Sequence, residues 1–285
     1  MLSPPSPAPK GFVFPCAGPS RGADPTMDES ASLLKIDQET LTKLSKDKLG
    51  QVNFAGAKLS ELAIQVVSYA VEKANNVFSV NLSDNGFTSA VCRDLSRMLS
   101  VNYNLTFVDL SYNRIDNEGA EHLASGLLKE NKIKTLYLNS NRIGALGISK
   151  LAISIARMKK LVSLDLSQNP VGDEGVLCLL KAYRESSEEN HLQSLYVDDC
   201  GIQEDGAIAA AVLIDHIPSL VTLHIEDNPI SDKGAHALLT VAEFPEKKLF
   251  LTTGVGKIET TRDKKLPPLE LDPHFLKEAR KYITN

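Results

Sequence analysis

The chain has 285 residues, of which 42% are hydrophobic, enough apolar material for a buried core. The chain has a formal net charge of −5 and therefore lacks the excess of basic residues that usually marks nucleic-acid binding, so we expect no nucleic-acid partner. The four cysteines show neither paired spacing nor a CxxC motif, which favours a reducing, cytoplasmic location over secretion.

Residues 1–27 are rich in Pro, Ser, Gly and Ala and have no hydrophobic periodicity. They are predicted to form a disordered tail, because they offer too little apolar surface to offset the chain entropy lost on folding. The tail lacks the apolar stretch of a secretory signal, and no apolar run in the chain approaches the roughly 18 residues that cross a bilayer. We therefore expect no membrane insertion, with an organelle transit peptide as the alternative interpretation of the tail.

Residues 28–48 carry leucine and isoleucine at helical spacing, from Leu33 to Leu44. They are predicted to form a helical N-terminal cap. Such a cap is needed because the first strand of a stacked repeat protein would otherwise expose apolar side chains and unpaired backbone groups.

From residue 49 onward one pattern recurs, with apolar residues at the first, fourth, sixth and eleventh positions and an asparagine at the ninth. The full copies are residues 105–115 (LTFVDLSYNRI), 133–143, 161–171 and 220–230. Altered copies lie at 77–87, 192–202 and 49–59, and Leu249 begins another. The first apolar position recurs every 28 residues, except for one interval of 31 and one of 29. A near-constant period with this pattern is the leucine-rich-repeat signature.

Each copy divides into a strand and a helix. Its first half alternates apolar and polar residues, and its second half changes to helical spacing. Neighbouring strands sit ~4.8 Å apart whereas packed helices need ~8–10 Å, so the stack must bend. The sequence therefore predicts an α/β leucine-rich-repeat solenoid, or horseshoe, of seven to eight repeats over residues 49–252. Its parallel sheet forms the concave face and its helices form the convex face.

The repeat asparagines are Asn85, Asn113, Asn141, Asn169 and Asn228. Each lies where the chain leaves a strand, and its amide is predicted to satisfy backbone groups of neighbouring turns. Cys200 takes this place in the sixth copy, and we interpret it as a small, weakly polar substitute rather than a reactive thiol.

Glycine recurs near the start of most predicted helices. The positions are Gly119, Gly147, Gly175, Gly206 and Gly234. We interpret this register as a sign that the helix packs too closely against a strand to leave room for a side chain.

Residues 253–285 are predicted to form a linker and a C-terminal capping helix. The repeat pattern fails after Leu249, and a charged run follows it. Asp272 and Pro273 then suit the N-cap and first position of a helix that could cover the last strand.

The long helices and the 28-residue period resemble the ribonuclease-inhibitor-like subclass of leucine-rich repeats. That subclass also includes Ran GTPase-activating proteins, the sensor regions of NOD-like receptors and the repeat domains of tropomodulins. The resemblance covers residues 49–252 and implies the horseshoe fold. It does not by itself indicate which function the chain has.

The sequence contains no recognisable catalytic or metal-binding motif. It has no glycine-rich phosphate loop and no GxSxG serine, and its six histidines show no HExxH or paired ligand spacing. We therefore expect a protein that is not an enzyme and that needs no cofactor and no metal.

The concave face is the predicted contact surface. Aromatic residues, scarce elsewhere, cluster in its central repeats, and carboxylates cluster towards its C-terminal end, where they would attract a basic partner. The predicted partner-binding residues are Phe107, Asp109, Tyr112, Tyr137, Asp165, Tyr196, Asp198, Asp199, His224, Glu226 and Asp227.

These features predict a monomeric protein–protein interaction module or scaffold that binds a protein partner through the concave face, and the acidic end of that face suits a basic partner. The alternative is a GTPase activator resembling the Ran-specific family, whose members use loops just past the repeat asparagine. Arg114 and Arg142 occupy that position here. The long acidic tail that characterises those activators is missing from this sequence.

Overall fold

In the computed structural model of the chain, the described residues are 50–74, 76–127, 130–242, 248–253 and 256–260. The predicted tail, the predicted cap over 28–48 and the helix predicted to begin at Asp272 lie outside these residues. Within the described residues, no helix combines the length and apolarity required to span a membrane.

Each of the first seven repeats begins with a short strand whose second residue is buried. The strands are β1 Gln51–Asn53, β2 Ser79–Asn81, β3 Phe107–Asp109, β4 Thr135–Tyr137, β5 Ser163–Asp165, β6 Ser194–Tyr196, β7 Thr222–Ile225, β8 Lys248–Thr253 and β9 Gly256–Thr260. They form one sheet in chain order, in which β1 to β8 run parallel. Each parallel pair joins equivalent residues of successive repeats, for example Tyr137 with Asp165.

A helix follows each of the first seven strands. The helices are α1 Glu61–Lys73, α2 Ser89–Val101, α3 Asn117–Gly126, α4 Ala145–Ile155, α5 Gly172–Glu185, α6 Glu204–His216 and α7 Asp232–Ala242. Side-chain caps define several starts: the Asp116 carboxylate accepts hydrogen bonds from the N–H groups of Glu118 and Gly119, both at 3.1 Å. The strand–helix alternation confirms the predicted α/β solenoid.

One aliphatic core runs the length of the solenoid between sheet and helices. Equivalent leucines fill it in successive repeats, among them Leu110, Leu138 and Leu166. Each repeat buries its apolar side chains mainly against its neighbours, as expected for a structure with one core continuous along its axis.

The repeat asparagines connect adjacent turns through hydrogen bonds. The Asn113 side-chain oxygen accepts from the N–H groups of Asn85 (3.1 Å) and Phe87 (3.0 Å). Its amide nitrogen donates to the carbonyls of Leu82 (3.1 Å) and Leu110 (3.0 Å), among others. Asn85, Asn141, Asn169 and Asn228 make corresponding bonds.

Cys200 changes the local backbone where it replaces the asparagine. Its thiol donates to the carbonyls of Leu166 and Asp198, both at 3.4 Å. Val171 therefore bonds elsewhere: its N–H donates to the Asn169 carbonyl at 2.7 Å. The next residue, Gly172, adopts a φ of 61° and donates to the Cys200 carbonyl at 2.9 Å, so glycine permits the altered turn.

The recurrent glycines allow close contact between successive helices. A Cβ at Gly206 would lie 2.8 Å from the Cα of Asp173 in the preceding helix, and a Cβ at Gly234 would lie 2.8 Å from the Cβ of Ala207. The prediction that these glycines allow a helix to pack against a strand was therefore wrong. The crowding comes mainly from the neighbouring helix, because successive helices pack at their first turns.

The C-terminal end of the described sheet differs from the predicted linker. Residues 256–260 form β9, which pairs antiparallel with β8, from Leu249 opposite Thr260 to Thr253 opposite Gly256. β9 supplies backbone partners to the outer edge of the last parallel strand, which would otherwise be exposed.

Candidate functional site

The third residue of each parallel strand lies on the sheet face opposite the core, because side chains alternate along a strand. Pairing in register aligns these residues in one line, which we call the third-residue row. Its members are Asn53, Asn81, Asp109, Tyr137, Asp165, Tyr196, His224 and Phe250. Tyr137 and Asp165 are half-buried on this face and do not enter the core.

Aromatic rings form two groups along the concave face. Phe107 and Tyr137 meet edge to face, with ring centroids 5.6 Å apart. His224 is stacked between Tyr196, at 4.5 Å, and Phe250, at 3.9 Å. We call Tyr196, His224 and Phe250 the aromatic stack. Phe250 is absent from the predicted site, although the eighth repeat beginning near Leu249 could have indicated it.

Asp109 differs from its predicted role as a contact residue. It is only 9% exposed, and its carboxylate accepts hydrogen bonds from the Ser111 N–H at 3.0 Å and the Ser111 hydroxyl at 2.6 Å. Its short side chain turns back onto its own loop, so little of it reaches the surface. Asp165 makes the corresponding bond to the Ser167 N–H at 2.9 Å but remains half-buried.

Three predicted residues lie at the edge of the sheet, away from the strand face. Tyr112, Asp199 and Asp227 have φ angles of 55°, 50° and 56°, in the left-handed region. The strands end three residues before Tyr112 and Asp199 and two residues before Asp227, so the backbone has already turned. Tyr112 is 58% exposed there. The left-handed backbone belongs to the repeat, since Ser140 and Gln168 adopt it at the equivalent positions.

Carboxylates crowd the C-terminal part of the face. Asp198 accepts a hydrogen bond from the Glu226 N–H at 2.6 Å. Burial, followed by the charges of Glu226, Asp165 and Asp227, raises the pKa of Asp198 to about 6, against the lowering effect of the Glu226 hydrogen bond. Among the described residues, Asp198, His224 and Glu226 bring one possible metal-ligand atom each to within 4.8 Å of one another.

Asp198→Asn should stabilise the fold at neutral pH. The pKa of Asp198 rises from its ordinary 3.8 to about 6 in the folded state, so the folded chain favours the protonated form. The stabilisation that the protonated Asp198 gives the folded state is therefore fully present below about pH 4 and is lost as the pH rises through about 6. We expect the substitution to raise the free energy of unfolding by about 1 kcal/mol at pH 7.5, after allowance for solvent screening.

Urea unfolding at pH 7.5 and pH 4 measures this effect, which should shrink at the lower pH. Asp199→Asn is the matched control, because Asp199 is exposed and asparagine tolerates its left-handed backbone. The prediction fails if the two variants gain equal unfolding free energy, or if Asp198→Asn gains as much at pH 4 as at pH 7.5. Either result would show that the buried charge of Asp198 and its repulsion by nearby carboxylates are not the cause.

Arg114 and Arg142 lie in equivalent loops of adjacent repeats. Their side chains are exposed, while their N–H groups donate to the carbonyls of Phe87 (2.7 Å) and Ile115 (2.8 Å). The loops thus present the arginines at the edge of the sheet, beyond the repeat asparagines.

The family described as Leucine Rich repeat matches five segments, residues 101–124, 130–152, 157–180, 189–209 and 216–239. Ribonuclease inhibitor from Mus musculus is 28% identical over 179 residues, which cover 62% of this chain and 39% of that protein. The chain thus spans about two-fifths of the length of this curated relative.

Similar solved structures include an internalin from Listeria monocytogenes, with 17% identity and a TM-score of 0.43, covering 79% of this chain and 66% of that chain. Leiomodin-1 Actin-Binding Site 2 has 17% identity and a TM-score of 0.34, covering 72% and 84% respectively. Five matched repeats, a similar ribonuclease inhibitor and a full helix after each of seven strands lead to one assignment. This chain belongs to the leucine-rich-repeat proteins, in their ribonuclease-inhibitor-like subclass.

Proposed function

We propose that the chain is a protein-recognition module that binds a basic segment of its partner on the concave face. The observation that carries this proposal is the order Tyr137, Asp165, Tyr196 along the third-residue row. A carboxylate between two aromatic rings offers a cation both an ion pair and two ring faces.

The spacing of the sheet suits an arginine side chain. Tyr137 and Tyr196 are two strands apart, which corresponds to roughly 9.6 Å. A cation midway between the two rings would lie within the distance of about 6 Å at which a ring face attracts it, and the donors of a guanidinium there can pair with Asp165. The pKa of Tyr137 is raised by burial and then by Tyr196 and Asp165, which supports their electrostatic proximity.

The surroundings favour the same kind of partner. Asp198, Glu226 and Asp227 extend the negative potential beyond Tyr196 and would attract further basic residues of a partner segment. Tyr112 adds an exposed ring at the sheet edge. Exposed aromatic side chains on a rigid support are typical binding anchors.

The experiment replaces Tyr137 and Tyr196 with asparagine, the residue that the third-residue row carries at Asn53 and Asn81. There the side-chain oxygen accepts from the N–H two residues on, so the substitution should preserve the strand ends. Loss of two anchors should weaken partner binding by about 100-fold or more, with the thermal midpoint nearly unchanged.

Affinity capture with the full chain identifies the partner, and titration of that partner gives its dissociation constant. Tyr103→Asn is the control, because Tyr103 is 52% exposed but precedes β3 and lies off the concave face. The proposal fails if the double variant binds the captured partner as tightly as Tyr103→Asn does. It also fails if binding does not weaken when arginine and lysine in the partner's contact segment are replaced.

A further inference from the structure

We propose that Asp198, His224 and Glu226 form a binding site for one divalent first-row transition ion, such as Zn²⁺. One ligand atom from each side chain lies within 4.8 Å of the others, and all three residues are half-buried. This proposal is independent of the proposed protein partner, and it can be tested with the metal ion alone.

The fold brings the three ligands together from two repeats. His224 lies in β7 and Glu226 directly follows the last residue of that strand, and their possible ligand atoms lie within 4.8 Å of each other. Asp198 lies one strand away: Tyr196 pairs with His224, and the Glu226 N–H donates to Asp198. The ligands are thus neighbours in register, although no local sequence motif joins them.

Contacts hold two of the ligands in place before any ion binds. One Asp198 oxygen accepts the 2.6 Å bond from Glu226, which fixes the carboxylate plane. The His224 ring lies nearly parallel to Phe250, at 6°, and to Tyr196, at 19°. Both ring faces are therefore covered, and the ring nitrogens lie at the edge of the stack, where a metal binds an imidazole. A ligand held in advance costs less entropy on binding.

The donor set indicates the class of ion. One imidazole with two carboxylates suits Zn²⁺ and other first-row ions, whereas Mg²⁺ and Ca²⁺ prefer oxygen ligands alone. Three protein ligands leave at least one coordination position for water or a partner group. The crowded charge of Asp198, Glu226 and nearby Asp165 further favours a cation. Ligand atoms around Zn²⁺ are about 3.4 Å apart, so small rotations of the side chains, within the contacts that hold Asp198 and His224, accompany binding.

The test uses the full chain, freed of metal with EDTA and titrated with ZnCl₂ in competition with a chromophoric chelator. We expect one equivalent of tightly bound Zn²⁺. His224→Gln and Glu226→Gln should each weaken its affinity by more than about tenfold, since loss of even an outer-layer partner has that effect. Excess MgCl₂ should not displace the ion. Bound Co²⁺ should give visible absorption that His224→Gln abolishes.

His122→Gln is the matched control, because His122 lies 3.9 Å from Glu118 on a helix surface and could hold an ion adventitiously. It should leave the Zn²⁺ affinity unchanged. The proposal is overturned if His224→Gln binds Zn²⁺ as tightly as the unchanged chain, if His122→Gln removes the binding, or if Mg²⁺ competes at equal concentration. Circular dichroism of each variant shows whether the fold is retained.

Discussion

Asn141→Ala should lower the free energy of unfolding by about 3–5 kcal/mol. The Asn141 side chain is buried and accepts a hydrogen bond from the Ile115 N–H at 3.0 Å. It also donates to the carbonyls of Leu110 and Leu138, both at 3.0 Å, and more weakly to that of Asn139, at 3.3 Å. Alanine would leave the buried Ile115 N–H without its partner, which costs about 1–3 kcal/mol. It would also remove one of two amide donors from each of the Leu110 and Leu138 carbonyls, which keep Asn113 and Asn169, at about 0.5–1.5 kcal/mol for each bond lost.

Urea unfolding of the full chain measures the loss, and Cys200→Ala provides the comparison. Cys200 occupies the equivalent place but makes weak sulfur hydrogen bonds, with the Leu166 and Asp198 carbonyls at 3.4 Å and with the Asn169 N–H. The backbone N–H of Val171 has another partner, the Asn169 carbonyl. This substitution should cost about 1–2 kcal/mol. If the two variants lost equal stability, the amide hydrogen bonds would not be what stabilises the turns.

The regular spacing of the repeats explains why the fold and its register could be predicted. A 28-residue interval places Val108 beside Leu136, and the same interval places Leu136 beside Leu164. One correct assignment therefore fixed the others, because each repeat packs only on its neighbours. The positions of Tyr137, Asp165 and Tyr196 on the concave face follow from that register.

The predicted contact surface included residues that lie past the end of each strand. Alternation of polar and apolar residues continues past the strand, but β3 ends at Asp109 and Tyr112 already has a left-handed backbone. A pattern of side-chain polarity does not contain the φ angle, so the turn residues were assigned to the strand face. The exposure of Asp109 is lower than its position in the strand indicates, because its hydrogen bonds to Ser111 turn a polar side chain inwards.

The features that the sequence did not indicate depend on contacts outside the repeat pattern. β9 pairs antiparallel with β8, and its charged sequence carries no repeat signature. Asp198 approaches His224 and Glu226 from the preceding repeat, so a search for closely spaced metal ligands along the chain could not find the group. Such a search should instead combine residues one repeat apart, because register makes them neighbours.

Leu138→Ala should lower the free energy of unfolding by about 3 kcal/mol, within the range of 2–5 kcal/mol for a buried leucine truncated in a rigid core. Leu138 is 0% exposed, directly after β4, and its repeat contacts those on both sides. The loss combines the apolar surface no longer buried with a cavity that the neighbouring repeats cannot fill. Their backbones are held by the hydrogen bonds of Asn141 and Asn169 to the Leu138 carbonyl.

Leu146→Ala isolates burial as the cause, because Leu146 is the same residue type in the same repeat but is 74% exposed on α4. Its truncation removes little buried surface, and alanine is at least as good a helix former, so we expect a change within about 0.5 kcal/mol. Urea unfolding of both variants gives the comparison. A loss below about 1 kcal/mol for Leu138→Ala would mean that the stack relaxes around the cavity. The repeats would then adjust to one another, and the concave face could not act as the rigid support on which aromatic anchors depend.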